Sequence, residues 1–340
     1  MKLIKSVLIL PSYIYDLITS IRNIFFDLKI FKSKVYDESI ISVGNLSTGG
    51  TGKSVLVDYL ICLFEDIYEI SILSRGYNRK SKGVLEVTSA SAAREVGDEP
   101  KMLFSKHPSS RIVVCESRKE GMDFLLNNKK ENSIYLLDDA FQHRWVIPGL
   151  SILLTTYKTP FYDDHILPYG NLRENIKGVR RADVIIVTKC PKNIDLKEKN
   201  KIIKKIDLLK NQKIFFSFLN YSNEVFSENK KISILELKNK KFLLVTGVAD
   251  PDPLVMHLKF LNLTFDFMKF SDHHNFKNKD VVKIKKLGHE NLILTTEKDY
   301  VRLSPLIKNI PIFYIPIKIC FEKSEKNKFD ILIKDFLLGK

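Results

Sequence analysis

Short apolar runs and longer amphipathic stretches alternate along most of the chain. After Tyr36, the runs are rich in β-branched residues, as strands are, and the stretches between them repeat apolar residues at helical spacing. Because the runs are apolar almost throughout, both faces of each strand are predicted to be buried, as in a parallel sheet covered by helices. The predicted strands are Ile40–Val43, Ile70–Leu73, Val84–Val87, Arg111–Cys115, Ser133–Leu137, Leu150–Leu154, Asp183–Val187 and Lys213–Phe218. The predicted helices include Ser54–Phe64, Lys119–Asn128 and a shorter one around Lys101–Phe104.

A second, smaller α/β unit is predicted in the last third of the chain. The polar stretch Asn220–Leu237 differs in composition from what precedes it and is predicted to be a linker. Beyond it the strand and helix patterns alternate again. The predicted strands there are Lys241–Val245, Leu263–Phe267, Asn291–Thr295 and Ile312–Ile317. We therefore expect three parts: an N-terminal segment at 1–35, a larger α/β domain at 36–220 and a smaller one at 221–340.

The N-terminal segment has the pattern of an amphipathic helix, or of two helices interrupted at Pro11. Its longest run without a charge, Ser6–Tyr15, has ten residues, whereas spanning a bilayer takes about 20. No small-residue cleavage site follows, so a cleaved signal peptide is not expected. The apolar side could lie in a membrane interface or pack on the protein's own core, and the pattern does not choose between them. The apolar residues at helical spacing are Leu8, Ile9, Tyr13, Ile14, Leu17, Ile18, Ile21, Ile24, Phe25, Leu28 and Ile30.

Composition restricts the class of protein and its partners. Hydrophobic residues make up 44% and charged residues 28%, as in folded proteins. Lys and Arg number 55 against 40 Asp and Glu, a net charge of +15, which favours phosphates, nucleic acid or an anionic membrane, unless the charge is merely spread over the surface. The four cysteines form no CxxC pair and are expected to be free thiols rather than disulfides or zinc ligands.

The sharpest motif lies between a predicted strand and a predicted helix, at Gly44–Ser54. Glycines let successive backbone N–H groups face a phosphate, and the helix N-terminus adds its dipole. Lys53 can reach the β- and γ-phosphates, and the Ser54 hydroxyl can hold Mg²⁺. The strict P-loop spacing would have glycine where this chain has Ser47. The residues predicted to bind ATP are Ser47, Thr48, Gly49, Gly50, Thr51, Gly52, Lys53 and Ser54. The fold is accordingly expected to be P-loop NTPase-like.

Two carboxylates follow the predicted strand Ser133–Leu137. A P-loop enzyme needs an acid at the end of a neighbouring strand to orient Mg²⁺. Asp138 and Asp139 meet that need, one as a direct ligand and the other through a metal-bound water. The alternative is a solvated Asp-Asp turn. His143, four residues further on, is ambiguous by itself.

Further short motifs follow in order along the chain and carry a resemblance to a known family. Together with residues 44–54 and 138–143, the set resembles the tetraacyldisaccharide 4'-kinase (lipid A 4'-kinase) family, from the N-terminal helix to about Leu303. Each motif is weak alone, and the ordered set is specific. The motifs are Ser74-Arg75-Gly76-Tyr77, Glu95-Val96-Gly97-Asp98-Glu99-Pro100, the loop from Leu167 to Glu174, Phe270-Ser271-Asp272-His273-His274 and Thr295-Thr296-Glu297-Lys298-Asp299.

The resemblance implies transfer of the γ-phosphate of ATP to the 4'-hydroxyl of a tetraacylated glucosamine disaccharide 1-phosphate. It implies a peripheral enzyme at the cytoplasmic face of the inner membrane, which would give the amphipathic N-terminus a purpose. The cofactors would be ATP and Mg²⁺, and neither a nucleic-acid partner nor an obligate protein partner is expected. The implied catalytic residues are Asp98, His273, Lys53 and Arg173. The implied metal ligands are Ser54, Glu99, Asp138 and Asp139, and the implied substrate contacts are Arg75, Arg118, His143 and Glu174.

The sequence departs from the family pattern at uncharged positions. Ala140 stands where glycine is common, Ser271 where proline is frequent before Asp-His, and Tyr169 and Asn171 lie in the loop before Arg173. These changes keep every charged group, so they bear on acceptor fit and loop shape more than on chemistry.

Taken without the family, the residues leave other interpretations open. Asp98 suits a general base by type, but it is also a plain start signal for a helix. His273 would by default be a surface histidine, and no zinc spacing is present. A P-loop GTPase or an assembly ATPase is an alternative, although residues 188–191 lack the final Asp of the guanine motif and 296–299 have the wrong order. A nucleic-acid-binding ATPase would suit the charge, but the lysines are scattered and no stacking aromatic motif accompanies them.

Overall fold

The computed structural model describes residues 7–288, 292–308 and 310–339. Residues 1–6 of the predicted N-terminal helix and Asn291 of a predicted strand lie outside the described residues.

Among the described residues, a nine-stranded sheet forms the larger unit, in the order β17-β10-β9-β8-β2-β6-β3-β5-β4. The first ten strands that the structure describes all belong to this unit. They are β1 Lys34–Val35, β2 Ser39–Asn45, β3 Glu69–Ser74, β4 Leu85–Glu86, β5 Arg111–Val114, β6 Ser133–Asp138, β7 Val146–Ile147, β8 Leu150–Thr156, β9 Val184–Thr188 and β10 Lys213–Tyr221, and the last strand, β17 Ile317–Phe321, joins them. The inner pairs are parallel, and the edge strands β4 and β17 are antiparallel to their neighbours. β1 and β7 pair separately.

Helices cover both faces of this sheet, as the continuous apolar strands predict. The helices of the chain are α1 Ile9–Asp27, α2 Lys53–Phe64, α3 Ala93–Val96, α4 Asp98–Lys106, α5 Arg118–Asn127, α6 Leu196–Ile206, α7 Asp252–Phe260, α8 Asn278–Leu287, α9 Glu297–Leu303 and α10 Lys323–Leu337, with 3-10 turns at Phe161–Asp163, Ile176–Arg181 and Ile234–Leu237. Leu60 of α2 and Phe329 of α10 are buried against one face with Ile41. Met122 of α5 is buried against the other face with Ile40, one residue earlier on the same strand.

The second unit contains a six-stranded sheet in the order β12-β11-β16-β15-β13-β14. Its strands are β11 Glu224–Phe226, β12 Lys231–Ser233, β13 Phe242–Thr246, β14 Phe265–Lys269, β15 Ile293–Thr296 and β16 Ile312–Ile315. The four strands from β13 to β16 are parallel to one another, and β11 pairs with β16 antiparallel. A smaller α/β unit was expected in this part of the chain, and the structure has one.

Two expectations about this unit differ from the structure. Asn220–Leu237, predicted to be a linker, contains the end of β10, the antiparallel pair β11–β12 and a 3-10 turn. It is polar because β12 lies at the sheet edge and is half exposed. The boundary 221–340 also differs, because β17 pairs with β10 and α10 packs on the first sheet. The chain changes sheets at Pro316, which separates β16 from β17 within the single predicted strand Ile312–Ile317.

The N-terminal helix α1 is continuous across Pro11. Proline is tolerated there because Pro11 lies in the first turn, where the backbone N–H groups have no partner within the helix. The apolar side of α1 faces away from the protein: Leu10, Tyr13, Leu17 and Ile18 are each 60–70% exposed. The other side is polar and binds the protein. Within the described residues, no helix is both long and apolar enough to cross a membrane.

Candidate active site

A cavity of about 1060 Å³ lies between the two units. The parallel register places Val43 of β2 beside Asp138 of β6, so the loop after β2 and the acids after β6 meet at the carboxyl edge of the sheet. Residues of α1, the loop before α2, the start of α4 and the loops of the second unit line this cavity together. Most residues singled out in the sequence therefore converge on one place, although they are spread over more than 200 positions.

The loop between β2 and α2 has the conformation of a phosphate cradle. Gly52 has a φ of +94°, which glycine adopts without strain and which starts α2 with its N-terminus at the cavity. Lys53 donates from Nζ to Asn45 Oδ1 at 3.2 Å and lies 3.5 Å from Asp139 Oδ1. The buried Thr51 hydroxyl has no hydrogen-bond partner among the described residues. Residues 48–54 line the cavity, and the Lys53 ammonium, the free Thr51 hydroxyl and the α2 N-terminus fit a bound phosphate chain.

Ser47 differs from the rest of the predicted loop. It pairs with Leu172 of the 167–174 loop through a backbone bridge and is not part of the described cavity lining. It holds two loops together at the base of the cradle. A position that has glycine in the strict motif can therefore carry a side chain here.

Three carboxylates lie close together beside the cradle. Asp138 is 1% exposed; its Oδ2 accepts from Ser74 Oγ at 3.0 Å, and its Oδ1 has no partner in the part of the chain that the structure describes. Burial, together with the charges of Glu99 and Asp139, raises the pKa of Asp138 to about 7. An unpartnered buried carboxylate oxygen beside two further carboxylates fits a divalent cation with oxygen ligands, such as Mg²⁺.

The two neighbouring carboxylates are kept ionised by cations. Burial raises the pKa of Asp139, but the charges of Lys53 and Arg173 outweigh it, and the pKa lies below its ordinary value. Arg173 donates from Nη1 to both Asp139 oxygens, at 2.8 and 3.0 Å. The pKa of Glu99 is likewise lowered, because the charges of Lys298 and Lys53 overcome its burial.

Asp98 and His273 come from different units and form a hydrogen-bonded pair. Gly97 has a φ of +95° and turns the chain into α4, whose first residue is the buried Asp98. His273 Nδ1 lies 2.9 Å from Asp98 Oδ2. Burial raises the pKa of Asp98, but the hydrogen bond from His273 and the charges of Lys298 and Arg302 lower it by more. The pKa therefore lies below its ordinary value, and the carboxylate is ionised. Two titratable groups thus combine into an oriented proton acceptor at the cavity wall.

The backbone at two of these residues is unusual. Asp139 and His273 have φ values of +48° and +53°, in the left-handed region that residues other than glycine rarely adopt. Such conformations persist where the surroundings hold them, and they concentrate at functional sites.

Of the residues expected to contact substrate, Arg75 and His143 line the cavity, as does Arg173, which was expected to be catalytic. Burial, together with the charges of Arg118 and Arg75, lowers the pKa of His143 to about 3. The ring is therefore neutral near pH 7 and can act as a hydrogen-bonding group but not as a cation.

Arg118 and Glu174 lie behind the described cavity lining, in contrast to the expectation that they touch the substrate. Arg118 is 2% exposed and donates to the carbonyls of Cys115 at 2.8 Å and Asp138 at 3.0 Å. Glu174 is fully buried and accepts from Arg181 at 2.8 Å and from Asn23 at 2.7 Å. Because both side chains are buried and hydrogen-bonded within the protein, they shape the site instead of facing into it.

Two features of the site were missed by the sequence analysis. Tyr15, Thr19 and Arg22 of α1 line the cavity; their helical spacing on the side opposite the apolar stripe is the signal that could have found them. Lys298 and Arg302 of α9 surround the Asp98–His273 pair. Lys298 belongs to the motif at residues 295–299, but no pattern in the sequence indicated that it contacts His273.

Comparison with known proteins agrees with this geometry. The sequence profile of the family described as tetraacyldisaccharide-1-P 4'-kinase matches residues 4–336. The tetraacyldisaccharide 4'-kinase of Flavobacterium psychrophilum is 42% identical over 339 residues, which cover 99% of this chain and 98% of the relative. The enzyme of the same name from Bacteroides thetaiotaomicron is 41% identical, covering 94% and 90%.

A solved structure is similar over nearly its whole length. LpxK from Aquifex aeolicus, determined in complex with ATP, superposes with a TM-score of 0.79 at 31% identity, covering 98% of this chain and 99% of that one. With the profile match and the relatives, this shows that the chain belongs to the tetraacyldisaccharide-1-P 4'-kinase family.

Proposed function

We propose that this chain transfers the γ-phosphate of ATP to the 4'-hydroxyl of a tetraacyldisaccharide 1-phosphate, a step of lipid A biosynthesis. One observation carries the proposal: a phosphate cradle with Lys53 and an ionised carboxylate, Asp98, held by His273, line the same cavity. A nucleotide-binding protein that only changes conformation does not need the second group.

ATP is bound through its phosphates at residues 48–54. The backbone N–H groups, the α2 N-terminus and Lys53 neutralise the phosphate chain. Phosphoryl transfer has a loose transition state, so the protein contributes mainly by positioning groups and neutralising charge. Arg173, which neutralises Asp139 in this structure, lies where it can stabilise charge on the transferring group.

The acceptor hydroxyl loses its proton to Asp98 as the new P–O bond forms and the bond to ADP breaks. The low pKa of Asp98 keeps it ready to accept that proton across the physiological range. His273 orients the carboxylate through its Nδ1–H and keeps it ionised until the acceptor binds. A general base of this kind is worth about 10²–10⁴-fold in rate.

Mg²⁺ would be held by Asp138 and Asp139, with the Ser54 hydroxyl and Glu99 nearby. Bound there, it would neutralise the charge of the β- and γ-phosphates. The support from this chain is the unpartnered Asp138 oxygen and the raised pKa of that group.

The acceptor is a lipid, and α1 offers a way to reach it. The helix presents its apolar side to the surroundings and lines the cavity with its polar side. A helix of this kind lies in the interface of a bilayer. The net charge of +15 suits the anionic cytoplasmic leaflet. We therefore place the enzyme peripherally on the cytoplasmic face of the inner membrane, with the 4'-hydroxyl entering between α1, Arg75 and His143.

Incubation with γ-labelled ATP and a panel of acceptors tests the function. The panel comprises the tetraacyldisaccharide 1-phosphate in mixed micelles, water and the protein alone. Label should appear on the lipid, and Lys53→Ala should abolish it. Release of labelled inorganic phosphate without lipid labelling would instead indicate an ATPase that acts through conformational change.

A further inference from the structure

The first turn of α9 joins the two units at the Asp98–His273 pair. Lys298 Nζ lies 2.8 Å from His273 Nε2 and 3.0 Å from Glu99 Oε1. The neighbouring Glu297 forms an ion pair with Lys106 of α4 at 3.0 Å. Two adjacent residues of the second unit thus both contact α4, but only Lys298 touches the histidine.

The chemistry of the Lys298–His273 contact fixes the proton on the ring. An ammonium group has three hydrogens and no lone pair, so it can only donate to His273 Nε2. That nitrogen must then carry a lone pair, and the ring proton of the neutral imidazole lies on Nδ1. From Nδ1 it points at Asp98 Oδ2, 2.9 Å away. The other tautomer would set two lone pairs against each other and break the pair.

Lys298 is held firmly enough to act in this way. Its side chain is 19% exposed, and Glu99 accepts a second hydrogen bond from it. The backbone at His273 is left-handed, with a φ of +53°, a conformation that persists where the surroundings hold it. Both ring nitrogens do have partners, one in each unit.

We propose that Lys298 is a positioning residue for the phosphoryl transfer: it holds His273 in the Nδ1–H tautomer and thereby aligns Asp98 with the acceptor hydroxyl. The residue acts through His273 without touching substrate. The inference rests on the proposed function, which supplies the reaction that the alignment serves.

The test uses full-length protein with Lys298→Met, Lys298→Arg and two controls. Glu297→Gln removes the ion pair across the same junction without touching His273. Lys286→Met makes the same chemical change at an exposed lysine of α8. Each protein is assayed for kcat and for the KM values of ATP and acceptor. The ring nitrogens of His273 are observed by ¹⁵N NMR of histidine-labelled protein, with His273→Gln identifying its signal among the seven histidines.

Lys298→Met should lower kcat about 10–100-fold, part of the 10²–10⁴ that a general base supplies, with the KM for ATP changed less than about threefold. Its His273 signals should move from the Nδ1–H pattern towards a mixture of tautomers. Lys298→Arg should restore part of both, since a guanidinium can also only donate. Lys286→Met should match the unmodified protein, and Glu297→Gln should keep the Nδ1–H pattern.

Unchanged kcat in Lys298→Met, or a lower kcat with an unchanged His273 spectrum, would overturn the inference. A loss of kcat in Glu297→Gln as large as that in Lys298→Met would also overturn it, because the effect would then come from weakening the contact between the two units and not from His273. If the unmodified protein labels no lipid, the proposed function fails, and the His273 spectrum still decides whether Lys298 selects the tautomer.

Discussion

At the scale of single residues, the proposed mechanism depends most on Asp98, its general base. Replacing it with alanine should lower kcat by about 10²–10⁴-fold, because the acceptor loses its proton acceptor. ATP affinity should change little, since residues 48–54 bind the phosphates and Asp98 faces His273 instead. Turnover is measured with labelled ATP, and ATP binding by calorimetry. A loss of ATP affinity as large as the loss of turnover would contradict the role of Asp98 as base.

Asp138 should make stability depend on pH with a definite sign. Burial and the neighbouring carboxylates raise its pKa to about 7 in the folded protein, so the folded state binds more protons than the unfolded state between about pH 4 and pH 7. Stability of the protein without nucleotide or cation should therefore fall as pH rises through that window. Asp138→Asn should raise Tm by about 2–8 °C at pH 8 and much less at pH 5.

Thermal unfolding at the two pH values measures this effect. Mg²⁺ should reduce the difference between the native protein and Asp138→Asn at pH 8, because a cation would satisfy the free oxygen. Equal Tm shifts at pH 5 and pH 8 would show that Asp138 is not the group responsible.

The sequence predicted residue types at the site better than it predicted their surroundings. Lys53, Asp138 and Asp139 could be predicted because strand, loop and helix order fixes where they meet. Arg118 and Glu174 were expected at the substrate because the family resemblance implied it; their burial among partners from distant segments cannot be read from the local sequence. Lys298 was missed for the same reason, because its partners His273 and Glu99 lie 25 and 199 positions away.

At the scale of elements, α1 is the case in which periodicity predicts the helix but not its orientation. The apolar stripe was visible in the sequence, but a helix that lies in a membrane interface and a helix that packs on the protein's core have the same pattern. The structure separates them, because the polar side of α1 binds the protein: Ser12 donates to the Ile166 carbonyl at 2.7 Å, and Asn23 binds Glu174. Deleting the helix would also remove these contacts and part of the cavity wall.

Point substitutions on the exposed side of α1 are therefore the cleaner test. Leu17→Glu with Ile18→Glu should weaken binding to anionic vesicles by at least about 100-fold, since burying the two apolar side chains is worth about 3–6 kcal/mol together. Tm should stay unchanged, because both residues are about 60% exposed. Vesicle co-sedimentation measures the binding. The matched control, Ile67→Glu with Leu196→Glu, changes two residues of similar exposure away from α1 and should bind normally.

At the scale of the whole molecule, the C-terminal helix belongs to the first unit. Sequence patterning could not show this, because β16 and β17 form one apolar run and a strand's pattern does not say which sheet it joins. Phe329 of α10 is fully buried and stacks on Phe321 at 5.0 Å, with Phe215 at 5.2 Å between ring centroids. The last helix therefore completes the core beneath the nucleotide-binding sheet.

Phe329→Ala should lower the free energy of unfolding by about 3–5 kcal/mol, as expected for an aromatic side chain removed from a packed core. The cavity that this change creates lies in the unit that carries Lys53, so the variant should bind ATP more weakly and gain less stability from it. Urea unfolding with and without ATP measures both effects. Leu338→Ala, at the 60% exposed residue that caps the C-terminus of the same helix, serves as the control and should leave stability unchanged. A full response to ATP in Phe329→Ala would separate α10 from the nucleotide site.

The register between β10 and β17 has a consequence for the engineering of the chain. Tyr221 and Ile317 face each other across adjacent strands, so the points where the chain leaves and re-enters the first sheet lie about 5 Å apart. That gap is short enough for a tight hairpin. The second unit is thus inserted in the connection between two adjacent antiparallel strands, and a protein with residues 222–316 replaced by a two-residue turn would still have a contiguous sheet. Such a protein would keep Asp98 and lose His273, leaving a nucleotide binder without the partner that aligns its base.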